Sequence, residues 1–333
     1  MKVLVFGGSS FLGFHLIKKL REKNYEICLY LRENSNLENI KELINDDIIS
    51  ENNIIYGNFH SSIRIMRSIG DKEFDVVFNL IGDTSMSPLD TKRQYFVNVE
   101  IAKMIAEVAL KLKAKLIHTS SISAYGFHDE VIDENAKSTA VKSGVNYLKT
   151  KYLAEKILKV MVKRSGLKAV FLNPVAIIGS HDRTSWAQLI KMIKDQKLPG
   201  IPLGKGCYTY VGDVAEAHIN AIEKGKIGEN YLLSGEEKEF SEIVSLICEQ
   251  LGVENNFKVR PTPLLRTLGV LSDIVTRITK KDLSLSYQKS LIVTKRTSAK
   301  SDKAIKELEY KNTKNINEMF KESVGWSLEH RNS

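Results

Sequence analysis

Tyr147 and Lys151, four residues apart, open a helical stretch that runs to Lys163. That spacing puts both side chains on one helix face, one turn apart. A phenol titrates near pH ~10 and exchanges protons poorly at neutrality, whereas a neighbouring ammonium favours the phenolate and lowers that value. The pair can therefore act as a general acid and base. Lysine-rich helices produce the same spacing by chance, so position has to decide. Here the pair follows an apolar strand at residues 115–119 and a polar turn, Ser120-Ser121-Ile122-Ser123-Ala124-Tyr125-Gly126. Such a turn opens at the carboxyl edge of a parallel sheet, where doubly wound proteins bind their ligands.

A second constellation lies at the start of the chain, where strand residues 2–6 run into Gly7-Gly8-Ser9-Ser10-Phe11-Leu12-Gly13 and then a helix. Gly7 permits a tight turn, and Gly13 lets helix and strand approach closely. The free N–H groups around Ser10, Phe11 and Leu12, with the positive helix end, suit a dinucleotide pyrophosphate. Ser10 occupies the slot where a glycine is usual. Arg32 lies 32 − 13 = 19 residues past Gly13, at the end of the second strand, where an acid normally holds the adenosine ribose. An arginine suits a ribose phosphate instead, and no Asp or Glu stands at positions 30–32 to repel one. NADP is therefore the preferred cofactor. NAD is the alternative, since Glu33 follows directly and can take the ribose.

The elements that must position these groups follow from the apolar rhythm. Residues 2–6, 27–31, 54–56, 75–81, 115–119 and 169–172 read as strands, and 12–23, 97–112 and 147–165 as amphipathic helices. Strand and helix alternate, which specifies an α/β fold: a doubly wound parallel sheet of the Rossmann type with helices on both faces. Beyond Pro174 the rhythm changes to longer helices, proline-bearing loops and few strands. The expected division is a nucleotide-binding domain over 1–174, completed by 205–225, with a smaller C-terminal substrate lobe from 175–204 and 226–333. Trp186 and Tyr208 fall in that lobe, as pocket lining or as core packing.

Composition narrows the function classes. The 333 residues are 43% hydrophobic and 27% charged, and no apolar run reaches the roughly 18 residues of a spanning helix. The start shows no secretion signal, so a cytoplasmic location is expected. Cys28, Cys207 and Cys248 lack disulfide or zinc spacing, and His60, His181 and His218 do not make metal spacing, so no metal is expected. The net charge of +9, from 49 basic and 40 acidic residues, comes without nucleic-acid motifs and reads as a solvated basic surface. His118 reads as a buried strand histidine rather than an acid or base. In 264–278, Leu264, Leu268, Leu271, Val275 and Ile278 share a helical face followed by Lys280-Lys281. Core packing is the expectation there, with docking on a membrane surface or covering an apolar substrate as the alternatives.

Together these motifs resemble the extended short-chain dehydrogenase/reductase family, often labelled NAD-dependent epimerase/dehydratase. The glycine turn, Asn98-Val99, the Ser120 to Gly126 turn, Tyr147 with Lys151, Asn173-Pro174, Val211-Gly212-Asp213-Val214-Ala215 and Lys303-Ala304 occur in the family's order. The resemblance implies that Ser121 hydrogen-bonds a substrate oxygen, Tyr147 exchanges its proton, and Lys151 binds the nicotinamide ribose and acidifies the tyrosine. It also implies cofactor contacts at Asn58 and Phe59, at Leu80, Ile81 and Gly82, at Asn98, Thr119 and Pro174. Asn173 would meet the substrate. A homodimer packed through helices 97–112 and 147–165 is implied as well. The sequence departs from the family pattern at Ser10, Asn58, Gly212 and Glu309, none of which removes a catalytic atom. Arg32, the Phe171 to Val175 stretch and the 261–281 tail are similar to the dihydroflavonol, cinnamoyl and 3β-hydroxysteroid branch, so an NADP-linked carbonyl reductase acting on a small molecule is expected. The runner-up is a nucleotide-sugar epimerase or dehydratase holding NAD tightly. A cofactor sensor without chemistry would have no need of Ser121, Tyr147 and Lys151 together.

Overall fold

Near-continuous apolar runs such as Val-Leu-Val-Phe and Ile-Cys-Leu-Tyr-Leu mark strands covered on both faces, and they form the centre of the sheet. The computed structural model describes residues 1–45, 49–283 and 285–330. Its first six strands are β1 (Lys2–Phe6), β2 (Glu26–Leu31), β3 (Ile54–Tyr56), β4 (Val76–Asn79), β5 (Lys115–Thr119) and β6 (Ala169–Pro174). Six shorter ones follow: β7 (Ala176–Ile178), β8 (Ile201–Pro202), β9 (Lys205–Tyr210), β10 (Asn230–Leu233), β11 (Glu236–Glu239) and β12 (Val259–Arg260). Seven strands pair in parallel in the order β3-β2-β1-β4-β5-β6-β10. The chain reverses direction of winding between β1 and β4, and the crevice above their carboxyl ends is where such a sheet receives a ligand.

Alternate residues of each strand feed different layers. Val3, Val5 and Ile117 pack with Leu16, Leu20 and Val214 from helices Phe11–Glu22 and Val211–Glu223. Leu4, Phe6 and Leu116 pack on the other face with Ile105 and Leu158, from helices Ile101–Lys111 and Asn146–Ser165. A separate core around Ile190, Tyr208, Ile247 and Phe320 holds the C-terminal helices against the small sheet β11-β9-β7.

Departures from the sequence reading have local causes. The strand expected at 75–81 ends at Asn79, whose Oδ1 accepts the Ile81 N–H at 3.1 Å and turns the chain out of the sheet. The helix expected over 97–112 starts earlier, at Thr91, and passes through one π-helical turn, Phe96–Glu100, in which Asn98 is buried. The later strands are two to six residues long and partly polar, β11 being Glu-Glu-Lys-Glu, so no apolar period marks them. One of them, β10, is nevertheless the seventh strand of the main sheet.

The helix Thr262–Thr279 corrects the core-packing expectation. Leu264, Leu268, Leu271, Val275 and Ile278 are all exposed. The helix instead rests on helix Tyr287–Val293 through its small residues: a Cβ on Gly269 would stand 2.9 Å from Ser286 O, and Ser272 Oγ donates to Leu285 O. Close approach along this small-residue seam turns the aliphatic side outward.

Candidate active site

Gly7 adopts φ +83°, and a Cβ there would lie 3.0 Å from Leu80 C and 3.1 Å from Ile81 N. Only glycine lets the first turn press against the segment leaving β4. Ser10 caps the following helix by accepting the Gly13 N–H at 3.1 Å. This leaves the N–H groups of Phe11 and Leu12 without an internal acceptor among the described residues. Ser10, in the slot of a usual glycine, thus organises the N-terminal end of this helix. At Gly13 a Cβ would meet Gly8 O at 2.4 Å and Gly7 O at 2.6 Å, both rigid backbone atoms. Gly13→Ala is expected to cost about 2 kcal/mol of stability in chemical unfolding, because the turn must move to admit one methyl.

Across the crevice, the turn after β5 is stiffened by Ser121, whose Oγ accepts the Ser123 N–H at 3.1 Å, and by Gly126 at φ +83°. Tyr147 stands in the first turn of helix Asn146–Ser165 and Lys151 one turn later. The Lys151 ammonium is 5% exposed and donates to the Thr119 carbonyl at 3.2 Å, while a Cβ on Gly82 would be 3.3 Å from it. Burial lowers Lys151 from its ordinary value to about 8, with Glu155 pulling upward. Burial pushes the Tyr147 phenol up, a hydrogen bond with Ser121 opposes this, and Asp83 adds to it. Burial, rather than Lys151, therefore sets the direction at Tyr147, and the group is a phenol ready to donate.

Ser10, Phe11, Leu12, Leu80, Gly82, Thr119, Ser121, Tyr147, Lys151, Pro174 and Trp186 line one cleft of about 590 Å³. The glycine turn and the Tyr-Lys pair, 147 − 13 = 134 positions apart from Gly13 to Tyr147, thus meet across it.

 Two adjoining cavities extend the cleft. One of about 320 Å³ shares Ser121, Tyr147 and Trp186 and adds Tyr208. The other, about 200 Å³, is lined mainly by apolar side chains including Trp186, Leu189, Phe240 and Leu265. Trp186 is fixed at this junction by its Nε1–H bond to Ile177 O at 2.8 Å, with its ring centre 5.8 Å from that of Tyr208.

Other residues singled out from the sequence stand further back. Arg32 is exposed at the end of β2, its N–H bonded to Ser35 Oγ at 3.0 Å. Asn58 is exposed, and the Phe59 ring is buried 6.1 Å from Phe6 and 5.5 Å from Tyr30. None of these three lines the cleft, whereas Asn36, Asn39 and Arg183 do. Arg183 Nε donates to Asn39 Oδ1 at 2.7 Å, so a loop of the lobe closes onto the loop after β2. No motif marks these residues. Ile81 packs at the core margin. Asn98 spends its amide on structure, accepting from Asp83 N at 2.7 Å and donating to Asp83 O and Thr150 Oγ1, both at 3.0 Å.

Behind the turn that bears Ser121 lies a buried carboxylate that the sequence reading missed. Glu155, one turn beyond Lys151, accepts from Ser120 Oγ, from Asn173 Nδ2 at 2.5 Å and from Asn230 Nδ2 at 2.8 Å. Asn173 also donates to Ser121 O at 3.1 Å. It is fully buried, so its visible work is to hold the turn rather than to face the cleft. The one available signal was its spacing on the helix, Lys151 to Glu155, which places a second ionisable group on the catalytic face. His118 is buried too, and burial with Lys151 and His218 nearby takes it down to about 3, which keeps it neutral.

A larger groove of about 900 Å³ lies elsewhere, between helices Phe11–Glu22 and Val211–Glu223. Several of its charges pair across it, Lys19 and Lys23 with Glu216 and Lys224 with Glu309, and it contains neither Ser121, Tyr147 nor Lys151.

Comparison with known proteins agrees with this geometry. The model of the NAD-dependent epimerase/dehydratase family matches residues 3–234. Sterol demethylase protein B of Methylococcus capsulatus is 24% identical over 283 residues, covering 83% of each chain. The decarboxylating sterol-4-alpha-carboxylate 3-dehydrogenase of Candida albicans is 27% identical over 314 residues, covering 84% of each. Among solved structures, UDP-glucuronic acid 4-epimerase from Bacillus cereus, in complex with NAD, superimposes with a TM-score of 0.76 at 20% identity, covering 99% of both chains. With a seven-stranded doubly wound sheet, a glycine turn and a Tyr-Lys pair in one cleft, the chain belongs to the NAD-dependent epimerase/dehydratase family, and is an enzyme of the extended short-chain dehydrogenase/reductase type.

Proposed function

We propose that the protein is an NADP-linked oxidoreductase that interconverts a ketone and a secondary alcohol on a largely apolar molecule. What carries this reading is the adjacency of Ser121 and Tyr147 to a cavity lined mainly by apolar side chains, through the shared wall at Trp186. The similarity to two sterol-processing proteins supports the same substrate class.

The residues fit a dinucleotide. The Gly7 and Gly13 cradle admits no Cβ, and the helix end offers the Phe11 and Leu12 N–H groups to a pyrophosphate. Leu80, Gly82 and Pro174 would flank the nicotinamide end, Lys151 would hold its ribose, and Arg32, at the end of β2 outside the cleft lining, would reach the ribose phosphate. Asn58, Phe59, Ile81 and Asn98 act behind this surface, shaping it. Nicotinamide, when bound, gives or takes the hydride. Ser121 orients the substrate oxygen, and Tyr147 donates a proton to it in reduction or removes one in oxidation. Lys151, close to neutrality at about 8, supplies positive charge beside the phenol as that proton leaves.

Calorimetric titration with NADPH and NADH tests the cofactor assignment. NADPH should bind more tightly, and Arg32→Asp should shift the preference toward NADH by about 10- to 100-fold, the worth of a charge-assisted contact. An unaltered preference would mean that Arg32 never touches the phosphate. Basic residues along the outer cleft, Arg183 in one cavity and Lys205 and Lys295 in the next, favour a second reading, a nucleotide-sugar epimerase with tightly held NAD. Tighter NADH binding would select it.

We assign the enzyme to the cytoplasm, a reading supported by three free and buried cysteines. A homodimer packed through helices Ile101–Lys111 and Asn146–Ser165 is part of the same proposal, supported by exposed Tyr95, Phe96 and Val160 on and beside them.

A further inference from the structure

We propose that the outward face of helix Thr262–Thr279 docks the protein on an anionic lipid surface. Leu264, Leu268, Leu271, Val275 and Ile278 recur at helical spacing and form one stripe. Leu271 is 54% exposed and Ile278 75%, and Ile274 beside them is 49% exposed. Scattered exposed leucines are ordinary, but a continuous aliphatic stripe from Leu264 to Ile278 along one helix is not. Its outward direction is built in, because the inward side is the small-residue seam that packs on helix Tyr287–Val293.

Charge selects the occupant. Between residues 258 and 283 the chain carries six basic groups, Lys258, Arg260, Arg266, Arg277, Lys280 and Lys281, against two acidic ones, Asp273 and Asp282. Both acids are engaged within the protein: Asp273 accepts the Tyr287 N–H at 3.3 Å, and Asp282 accepts from Ser87 Oγ. The aliphatic stripe is thus bordered by exposed basic groups, Lys258 before one end and Arg277, Lys280 and Lys281 at the other, the arrangement of a helix lying in a headgroup layer of negative charge. A second copy of the chain would bring the same cations face to face, which opposes a two-fold contact here. Spanning is excluded for this helix, since among the described residues none is long and apolar enough to cross a membrane.

The position also has a use. Leu265, on the inward side of the helix, lines the apolar cavity that adjoins the catalytic cleft. An apolar substrate dissolved in the bilayer would meet the protein beside its own pocket. That consequence rests on the proposed function, whereas the docking itself does not.

The test is co-sedimentation of the full chain with vesicles of phosphatidylcholine and phosphatidylglycerol, and with phosphatidylcholine alone. Sedimentation with the anionic vesicles only, reversed by high salt, is expected. Each of Lys280→Gln and Lys281→Gln should lower the partition about fivefold, the equivalent of about 1 kcal/mol per basic residue. Leu271→Asp combined with Ile278→Asp should abolish binding while calorimetric affinity for NADPH and the circular dichroism spectrum stay unchanged. Equal behaviour with both kinds of vesicle, no sedimentation with either, or full binding by the double variant would overturn the proposal. A dimer in light scattering that the double variant dissociates, without any vesicle binding, would assign the face to a second copy instead. Loss of NADPH binding in the unaltered protein would count against the oxidoreductase reading and leave the docking result standing.

Discussion

Tyr147→Phe is expected to lower turnover by about three orders of magnitude while NADPH affinity stays within about twofold. The substitution deletes one oxygen and keeps the ring, which packs beside Ala140, Val145 and Leu148 and so continues to anchor the first turn of its helix. The proton that Tyr147 exchanges has no replacement at that position, since Ser121 is an alcohol of ordinary acidity and the Lys151 ammonium is turned toward Thr119 O. Steady-state rates and calorimetry on the same preparation separate the two effects. Unchanged turnover would remove Tyr147 from the mechanism, and lost cofactor affinity would mean that it serves binding instead.

Lys151→Met should likewise abolish most turnover, yet make the cofactor-free fold more stable. Burial holds the Lys151 amine at about 8 against an ordinary 10.5, so in the folded protein its charged form is disfavoured by roughly 3 kcal/mol. A depressed lysine weakens the fold wherever the group is charged. Between pH ~8 and ~10.5 the unfolded chain keeps a proton that the folded one has lost, so the stability of the unaltered protein rises with pH across that window. Methionine removes the penalty and surrenders the hydrogen bond to Thr119 O. A net gain of about 1–2 kcal/mol is expected at pH 7, shrinking toward zero or reversing above pH ~10. Urea unfolding at the two pH values measures it. A loss of stability at pH 7 would show that Lys151 is held for structure and not for chemistry.

The main sheet and the active pair were open to sequence reasoning because each leaves a repeated or spaced mark. The strand run Val3 to Phe6 followed by Gly7 and Gly13 has one structural solution, and Tyr147 with Lys151 fell on a helix after a strand-and-turn that ends at the sheet edge. What stayed hidden depended on the chain meeting itself. Glu155 looks like any helical glutamate until β6 and β10 bring Asn173 and Asn230 to it. Arg183 and Asn39 share a wall through a loop contact that no spacing encodes. The aliphatic residues of helix Thr262–Thr279 carried the right period but the wrong inference, because Gly269 and Ser272, not the leucines, made the tertiary contact.

The Glu155 cluster also ties the completion of the Ser121 turn to a strand made later in synthesis. The bond between Asn230 and Glu155 spans 75 positions, and Asn230 reaches the same cluster through Asn173 Oδ1 at 2.8 Å. Contacts so distant in sequence form late, after local helices and hairpins have paid their loop-closure entropy. A ribosome-bound chain that has emerged only as far as β6 has its glycine turn, Tyr147 and Lys151, but Glu155 and the amide of Asn173 lack the partner that β10 brings. The turn bearing Ser121 is therefore completed only once β10, the edge strand of the same sheet, has left the ribosome, well after Tyr147 and Lys151 have emerged.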